Sequence, residues 1–355
     1  MIVRGRHYRT VWMSAGAVRL IDQPKLPHRF SVKTLRSYVE SAEAIRSMVV
    51  RGAGAIGAAA GFAMAQAARE ALSKRDYTLS IEEAASTVRA TRPTAQNLFY
   101  AVERVLGATM RAYGASGKKA ASAAAAREAQ VVADEDAEAC RAIGKHGEPL
   151  IRSGMRILTH CNAGWLAFVD WGSALSPVYA AKRAGKKVFV FADETRPRCQ
   201  GAMLTSWELL NEGVEHAVIA DNAAGHFISR GEVDMAIVGS DRIAANGDVA
   251  NKIGTYEKAL LCHEHGVPFY VAAPTSTIDF NCASGGSIPI EERSEDEVLC
   301  AWGLSSRGKM ESVRIAPKGA RARNPAFDVT PARLITAIIT ERGIVKPGDI
   351  ASLRR

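Results

Sequence analysis

The chain has 355 residues, which is long enough for two domains. Its formal net charge is +9, and its hydrophobic content of 47% is typical of a globular protein. Its six cysteines form no CxxC pair, so they predict reduced thiols in a cytoplasmic protein rather than a disulfide framework. The basic residues are scattered rather than gathered into a patch, which argues against nucleic acid as a partner and favours long-range attraction of phosphorylated metabolites.

The first part of the chain, residues 1–147, is predicted to form a mainly helical domain after a short β-rich start over residues 8–21. Ser80-Ile-Glu-Glu83 has the spacing of a capping box and is expected to open a helix, and Pro93 interrupts the helical pattern that follows. The alanine-rich segment that ends at Gly144 has a strong helix propensity, and we interpret it as a solvated helix without a role in the active site. The predicted helices cover residues 41–48, 56–72, 80–92, 95–113 and 118–143.

The glycines between residues 52 and 57 match the GxGxxG pattern of dinucleotide-binding proteins. That motif requires a preceding strand, and the segment before it is helical, so we predict neither a dinucleotide nor any other cofactor. Arg51-Gly52-Ala53 would instead open a helix whose unpaired N–H groups can hold a phosphate; the alternative is that the glycines only permit close helix packing. The uncharged stretch over residues 52–68 is too short and too weakly apolar for a membrane span and is interpreted as a packed helix.

The second part, residues 148–355, alternates short apolar runs with helical segments, which predicts an α/β domain with a parallel, doubly wound sheet. The predicted strands cover residues 156–159, 188–191, 217–220, 235–238 and 269–272. A polar cluster follows each run, and the carboxyl ends of parallel strands meet at one edge of the sheet. We therefore expect five clusters to converge on one crevice: Thr159–Asn162, Asp193–Arg196, Asp221-Asn222, Ser240–Arg242 and Pro274–Ser276.

The segment from Gly239 to Tyr256 is the most informative part of the chain. It follows a buried strand and is expected to lead into a helix from about residue 251 to residue 265. Asp241, Asn251 and Lys252 supply an acid, an amide and an ammonium group, which together suit a small, anionic ligand rich in oxygen.

Several blocks of the chain, in order, closely resemble the methylthioribose-1-phosphate isomerases, a family related to the alpha, beta and delta regulatory subunits of the guanine-nucleotide exchange factor of translation initiation. The resemblance implies a mainly helical N-terminal domain, a Rossmann-like C-terminal domain, a site between them and a homodimer. It implies conversion of S-methyl-5-thioribose 1-phosphate into S-methyl-5-thioribulose 1-phosphate in methionine salvage, without a cofactor or a metal. The blocks are Val50–Ala53, Arg92–Leu98, Thr159–Asn162, Asp193–Gly201, Gly239–Tyr256 and Asn324–Pro331.

The resemblance also implies roles for individual residues. Asp241 matches the proton-donating acid and Cys161 the catalytic thiol, while His160 is expected to be structural. The remaining cysteines are assigned to packing. The implied substrate contacts are Arg51, Gly52, Ala53, Arg92, Gln200, Asn251 and Lys252.

The chemistry needs an acid that protonates the ring oxygen, because the phosphate blocks opening of the sugar ring in the usual way. An ordinary aspartic acid is ionised at neutral pH, so this role requires that an apolar pocket hold the proton on Asp241. Hydrogen then moves from C2 to C1, either with the Cys161 thiolate as base through an enediol-like intermediate or as a direct hydride shift that Cys161 assists. Both routes remain open at the level of sequence.

The group at C5 of the sugar also remains open. Ala163-Gly164-Trp165 and Asp170-Trp171 are similar to a branch that acts as 5-deoxyribose-1-phosphate isomerases. A ribose-1,5-bisphosphate isomerase would need a second cationic site, whereas Trp165, Phe168 and Trp171 favour an apolar wall. A non-catalytic sensor of sugar phosphates or nucleotides is the alternative from another class, and retention of both Cys161 and Asp241 argues against it.

Overall fold

The computed structural model describes residues 1–92 and 95–354. The predicted interruption at Pro93, and Thr94 of the block over residues 92–98, lie outside this part of the chain. The helices are α1 (Tyr38–Arg46), α2 (Ala53–Glu70), α3 (Tyr77–Arg89), α4 (Gln96–Gly147), α5 (Ser176–Arg183), α6 (Ser206–Asn211), α7 (Ala224–Ser229), α8 (Thr255–Glu264) and α9 (Asp296–Leu299).

The strands of the N-terminal region are β1 (Ile2–Val3), β2 (Arg6–His7), β3 (Val11–Ser14), β4 (Ala17–Ile21) and β5 (Val32–Leu35). Those of the C-terminal region are β6 (Arg156–Thr159), β7 (Phe189–Asp193), β8 (Glu215–Ile219), β9 (Met235–Val238), β10 (Arg242–Ala244), β11 (Val249–Lys252), β12 (Phe269–Ala272), β13 (Ile278–Asp279), β14 (Cys300–Leu304), β15 (Met310–Arg314), β16 (Phe327–Thr330), β17 (Ala337–Thr340) and β18 (Gly343–Val345). The predicted β-rich start is confirmed by β3 and β4, and β5 extends it into a three-stranded antiparallel sheet.

Two predicted helix starts are wrong by several residues. The helix predicted to begin at Ser80 is α3, which begins after Asp76. The Asp76 carboxylate accepts a hydrogen bond from the Leu79 N–H at 3.0 Å. The helix predicted to begin at Ser41 is α1, which begins after Ser37. Ser41 lies inside this helix, and its hydroxyl donates a hydrogen bond to Gln66 Oε1 at 2.6 Å. In both cases an earlier polar residue satisfies the free N–H groups of the first turn, and this extends the helix towards its N-terminus.

Helix α2 is buried along nearly its whole length and packs against α4. Small residues permit this contact: a Cβ on Gly57 would lie 3.0 Å from the Asn97 carbonyl oxygen of α4. Helix α4 bends at Gly117, which has φ 76 and ψ −172. No helix of the described residues is long and apolar enough to cross a membrane.

The alanine-rich half of α4 is not the solvated helix expected from its composition. Ala121, Ala125 and Ala129 recur every four residues, lie on one face and are fully buried in the helical core. Alanine is small enough to let two helices approach closely, so the same composition that favours a helix also favours packing. The predicted domain boundary between residues 147 and 148 stays a prediction, although α4 ends at Gly147.

The described C-terminal region contains a sheet of seven strands in the order β18-β17-β12-β9-β6-β7-β8. The strands run parallel except for the edge strand β18. Successive side chains enter different apolar cores: Ile157 joins one with Val178 of α5, and Leu158 joins another with Ala259 of α8. Helices therefore cover both faces, as the alternating pattern predicts, and β17 and β18 are additions to the five predicted strands.

The chain changes direction within this sheet between β6 and β9. From β6 it runs outward through β7 and β8, then returns so that β9 pairs with the other side of β6. Beyond the carboxyl ends of two such neighbouring strands, the connecting segments diverge and leave a crevice in which α/β proteins bind ligands. Cys161 follows β6 and Asp241 follows β9, so the fold brings these two residues to that crevice.

A smaller sheet, in the order β13-β10-β11-β16, lies next in the chain beyond β9. Asn251 and Lys252 belong to β11, where they pair with Asp328 and Phe327 of β16. The prediction that they open a helix is wrong, since α8 begins at Thr255. Hydrogen bonding to β16 holds this segment extended, and a helix pattern read from the sequence alone cannot detect a partner some 75 residues away.

Candidate active site

One cavity at the crevice contains every residue predicted to bind or transform the substrate. Its wall combines the loop before α2, the ends of β6 and β9, and the strand β11. The predicted residues that line it are Arg51, Gly52, Ala53, Arg92, Cys161, Gln200, Asp241, Asn251 and Lys252.

Cys161 has a left-handed backbone with φ 67, an uncommon conformation for a residue that carries a side chain. Two threonines hold this conformation: the Cys161 N–H donates to Thr195 Oγ1 at 2.8 Å, and Thr205 Oγ1 donates to the Cys161 carbonyl at 2.7 Å. Strained backbone that is held by its surroundings is frequent at functional sites. The thiol is half-buried and lies on the wall of the cavity.

The N-terminus of α2 points its first turn at the same cavity. Gly52 precedes the helix with φ 90, and among residues 1–92 and 95–354 no side chain caps the free N–H groups of the first turn. A Cβ at Gly52 would lie 2.3 Å from the Cα of Ala167, so glycine is needed both for the conformation and for the close approach. An uncapped helix N-terminus attracts an anion.

Arg51 reaches from this loop to the end of β6. Its Nη1 lies 4.0 Å from Cys161 Sγ, and its Nη2 donates to Asn162 Oδ1 at 2.5 Å and to the Asn162 carbonyl at 3.0 Å. Burial lowers the pKa of Arg51, while the negative charges of Cys161, Glu208 and Asp241 oppose that shift. Arginine remains charged, so the site contains a fixed cation beside the thiol.

Lys252 is fully buried over the ring of Phe327, with Nζ 4.4 Å from the ring centroid, and donates to the Ala326 carbonyl at 2.9 Å. Burial, and secondarily the charge of Arg293, lower the pKa of Lys252 to about 8. The neighbouring Asn251 donates to Thr255 Oγ1 at 2.9 Å. The ammonium of Lys252 is therefore sensitive to the charge of any ligand.

Arg92 and Arg293 both line the cavity and both contact one acid. Arg293 Nε lies 3.1 Å and Arg92 Nη2 3.4 Å from the Glu291 carboxylate. Burial alone would raise the pKa of Glu291, but the two guanidinium groups hold it below its usual value. Sequence reasoning missed Arg293, because its segment has no strand-end or glycine pattern; charge alone was its only signal.

Three buried polar atoms of the predicted contacts have no hydrogen-bond partner among the described residues. They are Arg51 Nε, Arg92 Nε and Gln200 Oε1. Buried polar groups are almost always paired, so such atoms indicate a place where a polar ligand binds.

The apolar part of the wall differs from the prediction. Phe168 lines the cavity together with Met48, Ile56 and Phe327. Trp165 is instead fully buried and packs edge-to-face on Trp207, while Trp171 lies under the Arg183 guanidinium. A tryptophan side chain suits the core and an apolar cavity wall equally well. The direction of the backbone determines in which of the two places the side chain lies.

The expected convergence of five strand ends is wrong for three of them, because no residue of Asp193–Arg196, Asp221-Asn222 or Pro274–Ser276 lines the cavity. The carboxylate of Asp221 accepts hydrogen bonds from the N–H groups of Thr195 and Arg196, both at 2.7 Å, and so braces the loop that follows β7. Ser276 lies in a second cavity, where Asn97 donates to it at 3.0 Å. Only the strand ends beside the reversal of direction open directly into the crevice.

His160 lines the cavity and belongs to a buried polar network. Its Nδ1 is 2.8 Å from Asp193 Oδ2, and its Nε2 is 2.8 Å from the Ile253 carbonyl. His160, Asp193 and Asp221 have the spacing of metal ligands. The Lys258 ammonium, 3.6 Å from Asp193 Oδ2, opposes a second cation there, so hydrogen bonding explains the cluster better than a metal does.

Comparison with known proteins identifies the class first. The model of the Initiation factor 2 subunit family matches residues 49–347. The translation initiation factor eIF-2B subunit delta of A. fulgidus has the same fold, with a TM-score of 0.80 and 39% identity over 97% of this chain and 98% of that one.

Other relatives identify a single activity within this family. Methylthioribose-1-phosphate isomerases of Methylocella silvestris and Acidiphilium cryptum are 49% and 52% identical, over 98% and 99% of this chain and 96% of each relative. The 5-methylthioribose 1-phosphate isomerase structure of Pyrococcus horikoshii gives a TM-score of 0.84 at 43% identity, over 98% of this chain and 95% of that one. The chain belongs to the Initiation factor 2 subunit family and, within it, to the methylthioribose-1-phosphate isomerases.

Proposed function

We propose that this chain is an aldose–ketose isomerase that converts S-methyl-5-thioribose 1-phosphate into S-methyl-5-thioribulose 1-phosphate in methionine salvage. The observation that carries the proposal is the single cavity in which a thiol, a carboxyl group, four cationic side chains and an uncapped helix N-terminus meet. The relatives named above support the choice of substrate.

The phosphate binds at the N-terminus of α2. The first-turn N–H groups after Gly52 donate to its oxygens, and the Arg51 and Arg92 guanidinium groups fix its orientation through paired hydrogen bonds. Lys252 contributes a point charge from the opposite wall. Gln200 and Asn251 supply neutral hydrogen bonds to the sugar hydroxyls.

Asp241 then acts as the acid that opens the ring. In the free protein the charges of Arg51, Arg92 and Lys252 act on its carboxylate. The carboxyl group is half-buried and lines the cavity beside these cations. The proton of Asp241 passes to the ring oxygen as its bond to C1 breaks, and the ring oxygen becomes the C4 hydroxyl.

Hydrogen transfer from C2 to C1 completes the isomerisation. As C2 becomes a carbonyl, its hydroxyl proton is released, which balances the proton taken up by the ring oxygen. Cys161 acts at this step, either as the base that takes the C2 proton or as the group that orients a hydride shift. Arg51, 4.0 Å from the sulfur, stabilises negative charge on it.

The C5 substituent contacts the apolar wall in this proposal. Met48, Ile56 and Phe168 suit a methylthio or methyl group. A bisphosphate would need a second cationic site at C5, which the side chains of Met48, Ile56 and Phe168 do not supply. The apolar wall fits 5-deoxyribose 1-phosphate as well, and for this reason that sugar is included in the test.

Isolated protein should be incubated with the 5-methylthio, 5-deoxy and 5-phospho derivatives of ribose 1-phosphate, and ketose formation followed by NMR. We expect the highest kcat/KM with the methylthio sugar. Preference for the bisphosphate would contradict the proposed substrate. Absence of turnover with all three sugars would favour a non-catalytic sensor. We further propose a cytoplasmic homodimer with domains at residues 1–147 and 148–355; sedimentation velocity tests the dimer.

A further inference from the structure

Glu208 is a fully buried carboxylate outside the cavity, and all of its acceptor positions are occupied. Oε1 accepts hydrogen bonds from Asn162 Nδ2 at 2.8 Å and the Leu166 N–H at 3.1 Å. Oε2 accepts from the Trp165 N–H at 2.8 Å and Tyr179 Oη at 2.8 Å. Three of the four partners are N–H groups that can only donate, so these three contacts need acceptor oxygens on Glu208, whichever way the Tyr179 hydroxyl is turned.

Burial raises the pKa of Glu208 to about 7, although the four hydrogen bonds act in the opposite direction. A buried carboxylate is costly and is retained only where several groups depend on it. Two of its contacts have a structural purpose, since the N–H groups of Trp165 and Leu166 would otherwise be buried without hydrogen-bond partners. The contact with Asn162 leads instead to the active site.

The side-chain amide of Asn162 can adopt one orientation only. Its Nδ2 donates to Glu208 and, at 3.2 Å, to Thr205 Oγ1. Its Oδ1 therefore faces Arg51, whose Nη2 lies 2.5 Å away. Rotating the amide by 180° would set oxygen against the carboxylate and N–H groups against the guanidinium, which is unfavourable at both ends.

Arg51 is the last member of this chain of contacts. Its Nη2 is held by the oxygens of Asn162, so its Nη1 is directed to Cys161 and its Nε has no partner among the described residues. Both remaining nitrogens thus stay available to the cavity. The buried route runs from Glu208 through Asn162 to Arg51 and ends at the thiol.

We propose that Glu208 is a positioning residue for the isomerisation: its carboxylate fixes the amide of Asn162, which in turn holds the Arg51 guanidinium between Cys161 and the substrate phosphate. This role rests on the proposed function, because it assigns a support to the same site. Glu208 does not touch the substrate, and its effect passes through Arg51.

The first test is Glu208→Gln, which keeps the shape but replaces one acceptor oxygen by an NH2 group, so that at least one N–H donor loses its acceptor. We expect kcat/KM to fall 10- to 100-fold. The matched control is Asp136→Asn: Asp136 is a half-buried carboxyl group whose pKa is likewise raised by burial to about 7, but it accepts from the Val169 N–H and has no contact with Asn162. The control should retain kcat/KM within about threefold. An equal loss in both variants would reduce Glu208 to a structural role.

Non-additivity tests the route itself. Arg51→Gln should lower activity strongly, and adding Glu208→Gln to it should then change kcat/KM by less than about threefold. If the fold-losses in kcat/KM of the two single variants multiply in the double variant, the proposal is overturned. If Glu208→Gln fails to fold, Asn162→Ala interrupts the same route while leaving the carboxylate in place, and the same comparison applies.

A measurement without substrate separates this proposal from the proposed function. The rate at which iodoacetamide alkylates Cys161, followed by mass spectrometry of its peptide, should fall severalfold in Glu208→Gln and remain unchanged in Asp136→Asn. Asn162→Asp combined with Glu208→Gln places the carboxylate next to Arg51 and should restore part of that rate. An alkylation rate unaffected by Glu208→Gln would contradict the positioning role, even if the protein turned over no sugar phosphate.

Discussion

Arg51 and Cys161 are 110 residues apart in the chain, yet Arg51 Nη1 lies 4.0 Å from Cys161 Sγ. Arg51 precedes the N-terminus of α2 in the helical part of the molecule, and Cys161 follows strand β6 of the parallel sheet. The contact places a fixed cation beside a nucleophile at the point where a helix N-terminus and a strand end meet.

The thiol and the carboxyl group should each be essential for turnover. We expect Cys161→Ser and Asp241→Asn to fold normally and to lower kcat by about 10² to 10⁴, the usual contribution of a group that transfers a proton. Steady-state kinetics with the methylthio sugar gives the magnitude. Cys282→Ser, which changes a cysteine away from the cavity, is the control, and full activity in either of the first two variants would show that its role is misassigned.

Substrate affinity should depend on pH through Lys252. Its pKa of about 8 lies below that of an ordinary lysine because burial disfavours the charged form. The cation is therefore present below pH 8 and is lost as the pH rises through that value, so KM should increase between about pH 7 and pH 9. In Lys252→Arg, which stays charged over this range, the increase should disappear; its persistence would assign it to another group.

Glycine at position 52 should be needed for both stability and phosphate binding. In Gly52→Ala the new Cβ meets Ala167 at 2.3 to 2.6 Å in a conformation with φ 90, so we expect a loss of more than about 2 kcal/mol and a raised KM. Gly117→Ala has a comparable φ of 76 but no atom within 4 Å, so about 1 kcal/mol should be lost there without a change in KM. Chemical denaturation and kinetics distinguish the two, and equal effects would exclude the steric contact as the cause.

Arg293, the cation that sequence reasoning missed, should contribute to binding rather than to folding. Arg293→Gln removes a charge from the cavity wall and should raise KM about tenfold, the value of one charge-assisted hydrogen bond. Arg321, whose guanidinium pairs with Glu295 on the surface, offers a control of the same residue type. If Arg321→Gln raised KM as much as Arg293→Gln, the effect would come from net charge alone.

The positions of the main strands could be predicted because they depend on short-range patterns. The apolar runs over residues 156–159, 235–238 and 269–272 match β6, β9 and β12 residue for residue. Other features depended on distant partners. Lys252 is in a strand because β16 pairs with β11, and the alanines of α4 are buried because α2 packs on them.

The sequence by itself determined the chemical groups and the class of fold, since apolar periodicity, polar strand ends and the family's motifs are all properties of adjacent residues. Only the tertiary structure decided which polar strand ends reach the site, because that depends on where the chain reverses direction, beside β6 and β9. It also decided that a buried glutamate supports an arginine 157 positions earlier in the chain. Such a contact forms only when separate elements pack together, and no local pattern records it.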